Sequence, residues 1–264
     1  MSGTVSGTVS GALLTVQGLH HWFGGLHVID GVDFDCRQGI VKAIIGPNGA
    51  GKTTLLNLIA GSLRPVAGAI LFDGRPTAGR PAHEIAGRGI SRTFQTTRLF
   101  PRMSVLENIM VGRHVRGRRG FVAGMLGPVA TAAEDHRCGE ACMAVLDRLG
   151  IADLAHRDAA SLPFGRQRVV EFARALASEP RLILLDEPAC GLNPRETEEI
   201  GGLIAGIRES GITVLIVEHD MTLVMGISDE VVVLSYGKKI AEGTPSQVQA
   251  DPEVVSIYLG GSDA

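Results

Sequence analysis

The stretch "VKAIIGPNGAGKTTLLNLIAG", residues 41–61, joins an apolar run of strand length to a helical pattern through a loop rich in glycine that ends in a lysine. Within it Gly46 to Thr53 fits GxxxxGK[ST], with the preceding strand and following helix that the mechanism of this motif needs. Gly46, Gly49 and Gly51 let the backbone curl so that successive N–H groups point inward at phosphate oxygens. Lys52 adds a positive charge at the β- and γ-phosphates, and the Thr53 hydroxyl is placed to hold Mg²⁺. Pro47, Asn48, Ala50 and Thr54 complete the residues expected to touch the nucleotide.

Outward from this loop, short apolar runs recur between helical patterns: "RLILLDEP" (181–188), "ITVLIVEHD" (212–220) and "EVVVLSYG" (230–237). Continuous Val/Ile/Leu runs of this length, separated by helices, are what a parallel sheet covered on both faces requires. The fold class is α/β. Upstream, "LLTVQGLHHWF" and "LHVIDGVDFDCRQG" alternate more strongly and end in turn residues, which predicts a small antiparallel layer before the first parallel strand. Between about Gln95 and Leu162 the strand pattern vanishes and "ATAAEDHRCGEACMAVLDRLGI" is helical, so a helical subdomain is expected to be inserted there.

Asp186 and Glu187 leave the end of a buried run, where ligands of open α/β sheets sit. Adjacent acids are costly in that place unless a cation or a water uses them. Beside a phosphate loop, Asp186 is expected to bind Mg²⁺ through its water shell, and Glu187 to orient or deprotonate the attacking water. His219 ends a third run and is placed to reach a γ-phosphate. Gln95 follows another short run; a neutral amide there can ligate Mg²⁺ or the water while sensing movement of the loop that follows.

The bulk numbers set limits. The chain has 264 residues with 45% apolar side chains, ample for a buried core, and a net charge of −3, which supplies no global basic field for nucleic acid. The four cysteines form no CxxC pair, and Cys138 and Cys142 lie one helical turn apart with Val145 and Leu149, as buried helix residues do. The opening "MSGTVSGTVSGALL" reads as a disordered tail, and no run is long enough to span a bilayer. The basic run "RHVRGRRGF" (113–121) is read as a solvated loop, with contact to anionic lipid headgroups as the alternative.

One stretch remains. "ASLPFGRQRVVEFARALASEP" (160–180) enters a helix at about Arg166 through a loop holding a proline, a glycine and two arginines. The positive end of that helix, at Gly165 and Arg166, predicts a nearby anion.

With the phosphate loop, Gln95, this stretch, Asp186-Glu187 and His219 in this order, the chain resembles the ATPase subunits of ABC transporters over nearly everything after the tail. The resemblance implies a P-loop NTPase core, a RecA-like parallel sheet with an N-terminal antiparallel β subdomain, over residues 12–264 after a tail of 1–11. The α-helical subdomain is then the insertion at about 95–165. It also implies ATP and Mg²⁺ as ligands and Phe23 as the aromatic that stacks on adenine, with Trp22 next to it as the competing ring. Gln95 takes the place of the Q-loop glutamine, "ACGLNP" (189–194) that of the D-loop and His219 that of the switch histidine. Leu162, Pro163, Phe164, Gly165 and Arg166 match the signature loop, usually LSGGQ, which caps ATP held by the other subunit of a dimer.

"FGGLHVIDGVDF", "RTFQTTRLFPRMSVLENIMVG", "EHDMTLVMGISD" and the C-terminal "EGTPSQVQADPEVVSIYLG" are similar to the LivG-type ATP-binding subunits of branched-chain amino-acid importers. That implies transmembrane permease subunits, a second ATPase subunit as heterodimer or homodimer partner, an indirect solute-binding protein and a peripheral place on the cytoplasmic face of the membrane. The rival readings are a related lipid or lipopolysaccharide-transport ATPase, and a soluble ABC ATPase acting on nucleic acid or ribosomes. In the signature loop Pro163 replaces serine and Arg166 replaces glutamine. A proline removes both the hydroxyl and the backbone N–H. A hydrogen bond to a charged group is worth about 1.5–3 kcal/mol and a helix N-terminus about 0.3–1, up to about 2 when buried, so the helix end and Arg166 together can offset the loss. Two unequal ATP sites, or two equal ones, both follow from such a loop.

Overall fold

The computed structural model describes residues 11–93, 99–113 and 128–259. In chain order its strands are β1 (Ala12–Phe23), β2 (Leu26–Arg37), β3 (Val41–Ile45), β4 (Ala67–Phe72), β5 (Arg75–Pro76) and β6 (Ile90–Arg92). After the helical insertion follow β7 (Leu182–Asp186), β8 (Thr213–Val217), β9 (Glu230–Ser235) and β10 (Lys238–Gly243). The larger sheet runs β10-β9-β3-β8-β7-β6, parallel throughout except for the β10 edge. The smaller sheet runs β2-β1-β4-β5, all antiparallel.

The apolar runs are continuous because two cores claim alternate side chains of the same strands. Ala43, Ile45, Ile183, Leu185, Val214, Ile216, Val231 and Val233 face one core. Ile44, Leu182, Leu184, Leu215, Val217, Val232 and Leu234 face the other. The first core is closed by the helical insertion and by α5 (Phe164–Leu176), α6 (Pro194–Glu209), α7 (Met221–Ile227), α8 (Pro245–Ala250) and α9 (Pro252–Leu259). The second lies between the two sheets and takes in α1 (Lys52–Ile59) through Leu55, Leu56, Leu58 and Ile59. Each such fully buried side chain contributes about 1.5–3 kcal/mol, so neither face of the parallel sheet is dispensable.

The four apolar runs are the strands β3, β7, β8 and β9, as expected. The antiparallel layer is only half legible in advance: β4 lies after α1 and returns to pair with β1, β5 pairs with β4 in turn, and Ile70 and Phe72 are buried between the sheets. Between β5 and β6 sits α2 (Ala82–Gly87). The insertion contains α3 (Val105–Arg113) and α4 (Pro128–Arg148), with Cys142 buried and its thiol pushed up to about 12 by that burial and by Cys138. The basic run beyond Arg113 lies outside the described residues.

One residue breaks the apolar pattern of β3. Lys42 is 1% exposed. Its ammonium meets Glu242 Oε1 at 2.5 Å and Glu230 Oε2 at 3.0 Å, and donates to the Asp35 carbonyl. Burial pushes this lysine down, but the hydrogen bonds and charges of Glu242 and Glu230 outweigh it and hold the net value above the ordinary one.

Candidate functional site

The sheet register decides where the chemistry gathers. Ile44 pairs with Val217, and Val217 with Asp186, so β3, β8 and β7 end level with one another. The residues just beyond each strand, Gly46, Glu187 and, one place past Glu218, His219, therefore leave the same edge.

At β3 the chain turns into the phosphate loop. Gly46 has φ of 149°, and a Cβ there would lie 2.0 Å from the Leu234 carbonyl oxygen; at Gly51, with φ of 97°, it would lie 2.5 Å from that of Val28. Only glycine fits either place. Gly49, also at positive φ, and Asn48 are exposed, Pro47 is half-buried, and Ala50 is buried with its N–H donating to the Pro47 carbonyl at 3.2 Å. Gly51 is the N-cap of α1 and supplies no side-chain acceptor, so the first N–H groups of the helix face outward for an anion. Lys52 is 7% exposed and donates to the carbonyls of Gly46 at 2.7 Å and Pro47 at 3.0 Å. Those bonds use two of the three ammonium donors, leaving one for a phosphate oxygen. Burial lowers its pKa, and the charges of Glu187 and then Asp186 only partly restore it.

Asp186, 1% exposed, stands at the end of β7. Its Oδ1 accepts from the Thr53 hydroxyl at 3.4 Å across 133 residues of chain, and its Oδ2 is 2.9 Å from an Arg92 guanidinium nitrogen. Arg92 also donates to Asn57 Oδ1 at 2.6 Å, so the end of β6 is tied to α1 through the same guanidinium. An exposed hydroxyl and a carboxylate oxygen side by side form the hard-oxygen donor set that Mg²⁺ takes. Glu187 follows with φ of 48°, a left-handed conformation that costs a non-glycine residue about 1–3 kcal/mol. It is held there by its N–H on the Val217 carbonyl at 2.9 Å and by its own carbonyl accepting from Cys190 N–H at 3.1 Å.

His219 leaves β8 with its side chain 61% exposed and Nδ1 3.7 Å from Glu218 Oε2. Phe23 and Trp22 sit where the β1 strand gives way to the hairpin turn, both exposed, so neither ring belongs to the core. Phe23 stands edge-on to His21 at 4.7 Å between centroids, while Trp22 stacks on His27 at 5.1 Å. Phe23 is the more exposed of the two. Thr54 is half-buried in the first turn of α1. Gln95 lies outside the described residues.

The signature-like loop forms a second pole. Leu162 is buried, Pro163 and Arg166 are exposed, and α5 begins at Phe164, two residues earlier than the periodicity predicts. Pro163 is its N-cap and supplies no side-chain hydrogen bond, so this helix end too presents bare N–H groups. Phe164 lies against the loop after Glu187: a Cβ on Gly191 would be 3.4 Å from its ring, and one on Gly165 would be 2.6 Å from Glu196 Oε1. The sequence reading passes over Arg92 and Glu218. Glu218 ends an apolar run, the same signal that marks Asp186, whereas Arg92 ends the short strand Ile90–Arg92, which carries no such signal.

Residues 29–190 match the ABC transporter family, and residues 238–264 match the family described as branched-chain amino acid ATP-binding cassette transporter. The chain is 42% identical over 253 residues to the high-affinity branched-chain amino acid transport ATP-binding protein BraF of Pseudomonas aeruginosa, covering 96% of this chain and 99% of that one. It is 41% identical, with the same coverage, to LivG of Salmonella typhimurium, which carries the same description. Among solved structures, the ADP conformation of an ATP-binding cassette of an ABC transporter superposes with a TM-score of 0.83 at 31% identity, covering 95% of this chain and 100% of that one. A core with this loop, these acids and these relatives leaves one assignment: the chain belongs to the ATP-binding cassettes of ABC transporters, in the branch of branched-chain amino acid transport ATP-binding proteins.

Proposed function

We propose that this chain is the ATP-hydrolysing subunit of an importer for branched-chain amino acids or related amino acids and amides. The observation that carries the reading is the meeting of Thr53 with Asp186 at the sheet edge, beside a buried lysine that lacks full charge compensation. The N–H groups of the phosphate loop and Lys52 bind the polyphosphate, with Phe23 under the base. Thr53 and Asp186 would hold Mg²⁺, which when bound neutralises developing charge on the phosphate oxygens. Glu187 orients the attacking water and takes its proton as the new P–O bond forms and the bond to the β-phosphate oxygen breaks. His219 donates to the γ-phosphate, and Gln95 links the site to the insertion. Positioning and charge neutralisation supply most of the rate enhancement.

Among the described residues no helix is long and apolar enough to cross a membrane, which fits a peripheral subunit that docks on transmembrane permeases. The bare N-terminus of α5 with Pro163, Phe164, Gly165 and Arg166 would cap ATP held by a second cassette, identical or not. The test is to purify the chain with its membrane subunits, reconstitute the complex with its solute-binding protein, and measure ATP hydrolysis in magnesium buffer. Leucine, isoleucine or valine should stimulate turnover; stimulation only by lipid would support the lipid-transport reading instead. In the same assembly Pro163→Ser should raise turnover if the two ATP sites are unequal, and leave it unchanged if they are equivalent.

A further inference from the structure

Glu218 is wholly buried, directly after the five buried residues of β8, and its carboxylate is used in full. Oε1 accepts from the backbone N–H of Ala189 at 2.8 Å. Oε2 accepts from the N–H of His219 at 3.0 Å and of Asp220 at 3.5 Å, and lies 3.7 Å from His219 Nδ1. The Glu218 N–H in turn donates to the Ile44 carbonyl of β3 at 3.4 Å. One residue thus joins the strand before the phosphate loop, the loop after Glu187 and the loop that carries His219.

Burying a carboxylate is costly unless several donors surround it, so a local task would be met more cheaply by a neutral side chain. Capping the next helix is not its task, because Asp220 Oδ1 already accepts from Leu223 N–H at 3.0 Å at the start of α7. What a shorter or neutral residue cannot do is accept from Ala189 with one oxygen and from the His219 turn with the other. With Nδ1 on the Glu218 side, Nε2 is the ring nitrogen left to meet a phosphate oxygen.

We propose that Glu218 is a positioning residue for ATP hydrolysis: its carboxylate fixes the loop carrying His219 to the loop following Glu187, so that the water-orienting acid and the phosphate-sensing imidazole keep one relation through the cycle. This rests on the roles given above to Glu187 and His219. Glu218→Gln keeps the side-chain size but turns one acceptor into an amide NH₂ facing an N–H donor, so one of the two loops is released.

The experiment compares Glu218→Gln, His219→Ala and the double variant in the assembled transporter, measuring kcat, KM for MgATP and Tm. Glu218→Gln should lower kcat about tenfold or more, the effect of one misdirected charged hydrogen bond, with KM within about threefold of wild type. In the His219→Ala background the same change should cost little further, because residues acting as one unit are not additive. A full, multiplicative loss in that background, or a wild-type kcat for Glu218→Gln, overturns the proposal. So does a parallel rise in KM and fall in Tm. If Glu218→Gln does not fold, Glu218→Asp retains the charge but falls short of Ala189, and should lower kcat in the same way; wild-type turnover there overturns it equally. Wild-type turnover in His219→Ala alone would instead sink the role given to His219, so the two failures are distinguishable.

Discussion

Lys42 and Lys52 flank the same strand and loop, both nearly excluded from water, and the structure treats them oppositely. Lys42, near the start of β3, has Glu230 and Glu242 in contact and a pKa above the ordinary lysine value. Lys52, opening α1, has among the described residues only the carbonyls of Gly46 and Pro47 as hydrogen-bond partners, with the charges of Glu187 and Asp186 acting beside them, and its pKa is below the ordinary value. A buried cation that brings its own carboxylates serves the fold. A buried cation held by dipoles alone, its burial imperfectly compensated, is poised for an anion from outside, and the polyphosphate supplies it. The stretch that decided the fold therefore holds, a few residues apart, one lysine whose charge the protein has already spent and one whose charge it has kept.

Removing each in turn should break different properties. Lys52→Ala should lower ATP hydrolysis by at least about 100-fold, the scale for loss of a preorganised charge-stabilising donor in a buried site. The Tm without nucleotide should stay the same or rise, because an undercompensated buried charge is removed. Turnover and thermal melts on the purified complex check both halves, and a large fall in Tm would contradict the contrast between the lysines.

The converse change has a smaller effect, on stability rather than on rate. Lys42→Met removes the cation shared by Glu230 and Glu242 at the junction of β3, β9 and β10 and should cost about 1.5–3 kcal/mol, the scale of a lost charged hydrogen bond, because Glu230 keeps Arg37 and Glu242 keeps Lys239. Turnover per folded molecule should be preserved. Denaturant unfolding paired with activity measured on the soluble fraction separates the two.

The contrast also explains what could be seen in the sequence. Lys52 is legible because its partners are its neighbours: Gly46, Pro47 and Gly51 fix the loop within a few residues, and the motif carries its own geometry. Lys42 is not, since "VKAII" reads as an apolar run and its partners, Glu230 and Glu242, arrive from β9 and β10 at the far end of the chain. The same divide holds elsewhere. The parallel strands were readable as runs because both faces are buried, whereas β4 and β5 belong to a sheet begun before α1, and nothing local in "GAILFDG" says which sheet will take it. Asp186 is legible because it is doubled by Glu187 and ends a recognisable apolar run. Arg92 and Glu218 are not legible, because their meaning lies in backbone and side-chain groups brought alongside by the fold, Asp186 for one and Ala189 for the other.

The smallest expected effect is on pH dependence, and it sharpens the comparison from the carboxylate side. Burial pushes Glu230 up, but hydrogen bonding and charge from Lys42 and then Arg37 more than reverse this, and its folded pKa lies below the ordinary value. A carboxylate depressed on folding stabilises the protein fully above its unfolded pKa. That contribution is lost as the pH falls through the ordinary glutamate range to the folded value. Thermal melts from neutral pH downward should therefore show an acid limb of falling Tm, part of which disappears in Glu230→Gln. Glu230→Gln should also start from a lower Tm at neutral pH, since Lys42 then keeps only Glu242. Glu187→Gln, at the other lysine, should leave that acid limb in place, because the hydrogen bonds of Lys52 among the described residues run to the backbone carbonyls of Gly46 and Pro47. An acid limb that vanished in Glu187→Gln and persisted in Glu230→Gln would reverse the assignment of the two lysines.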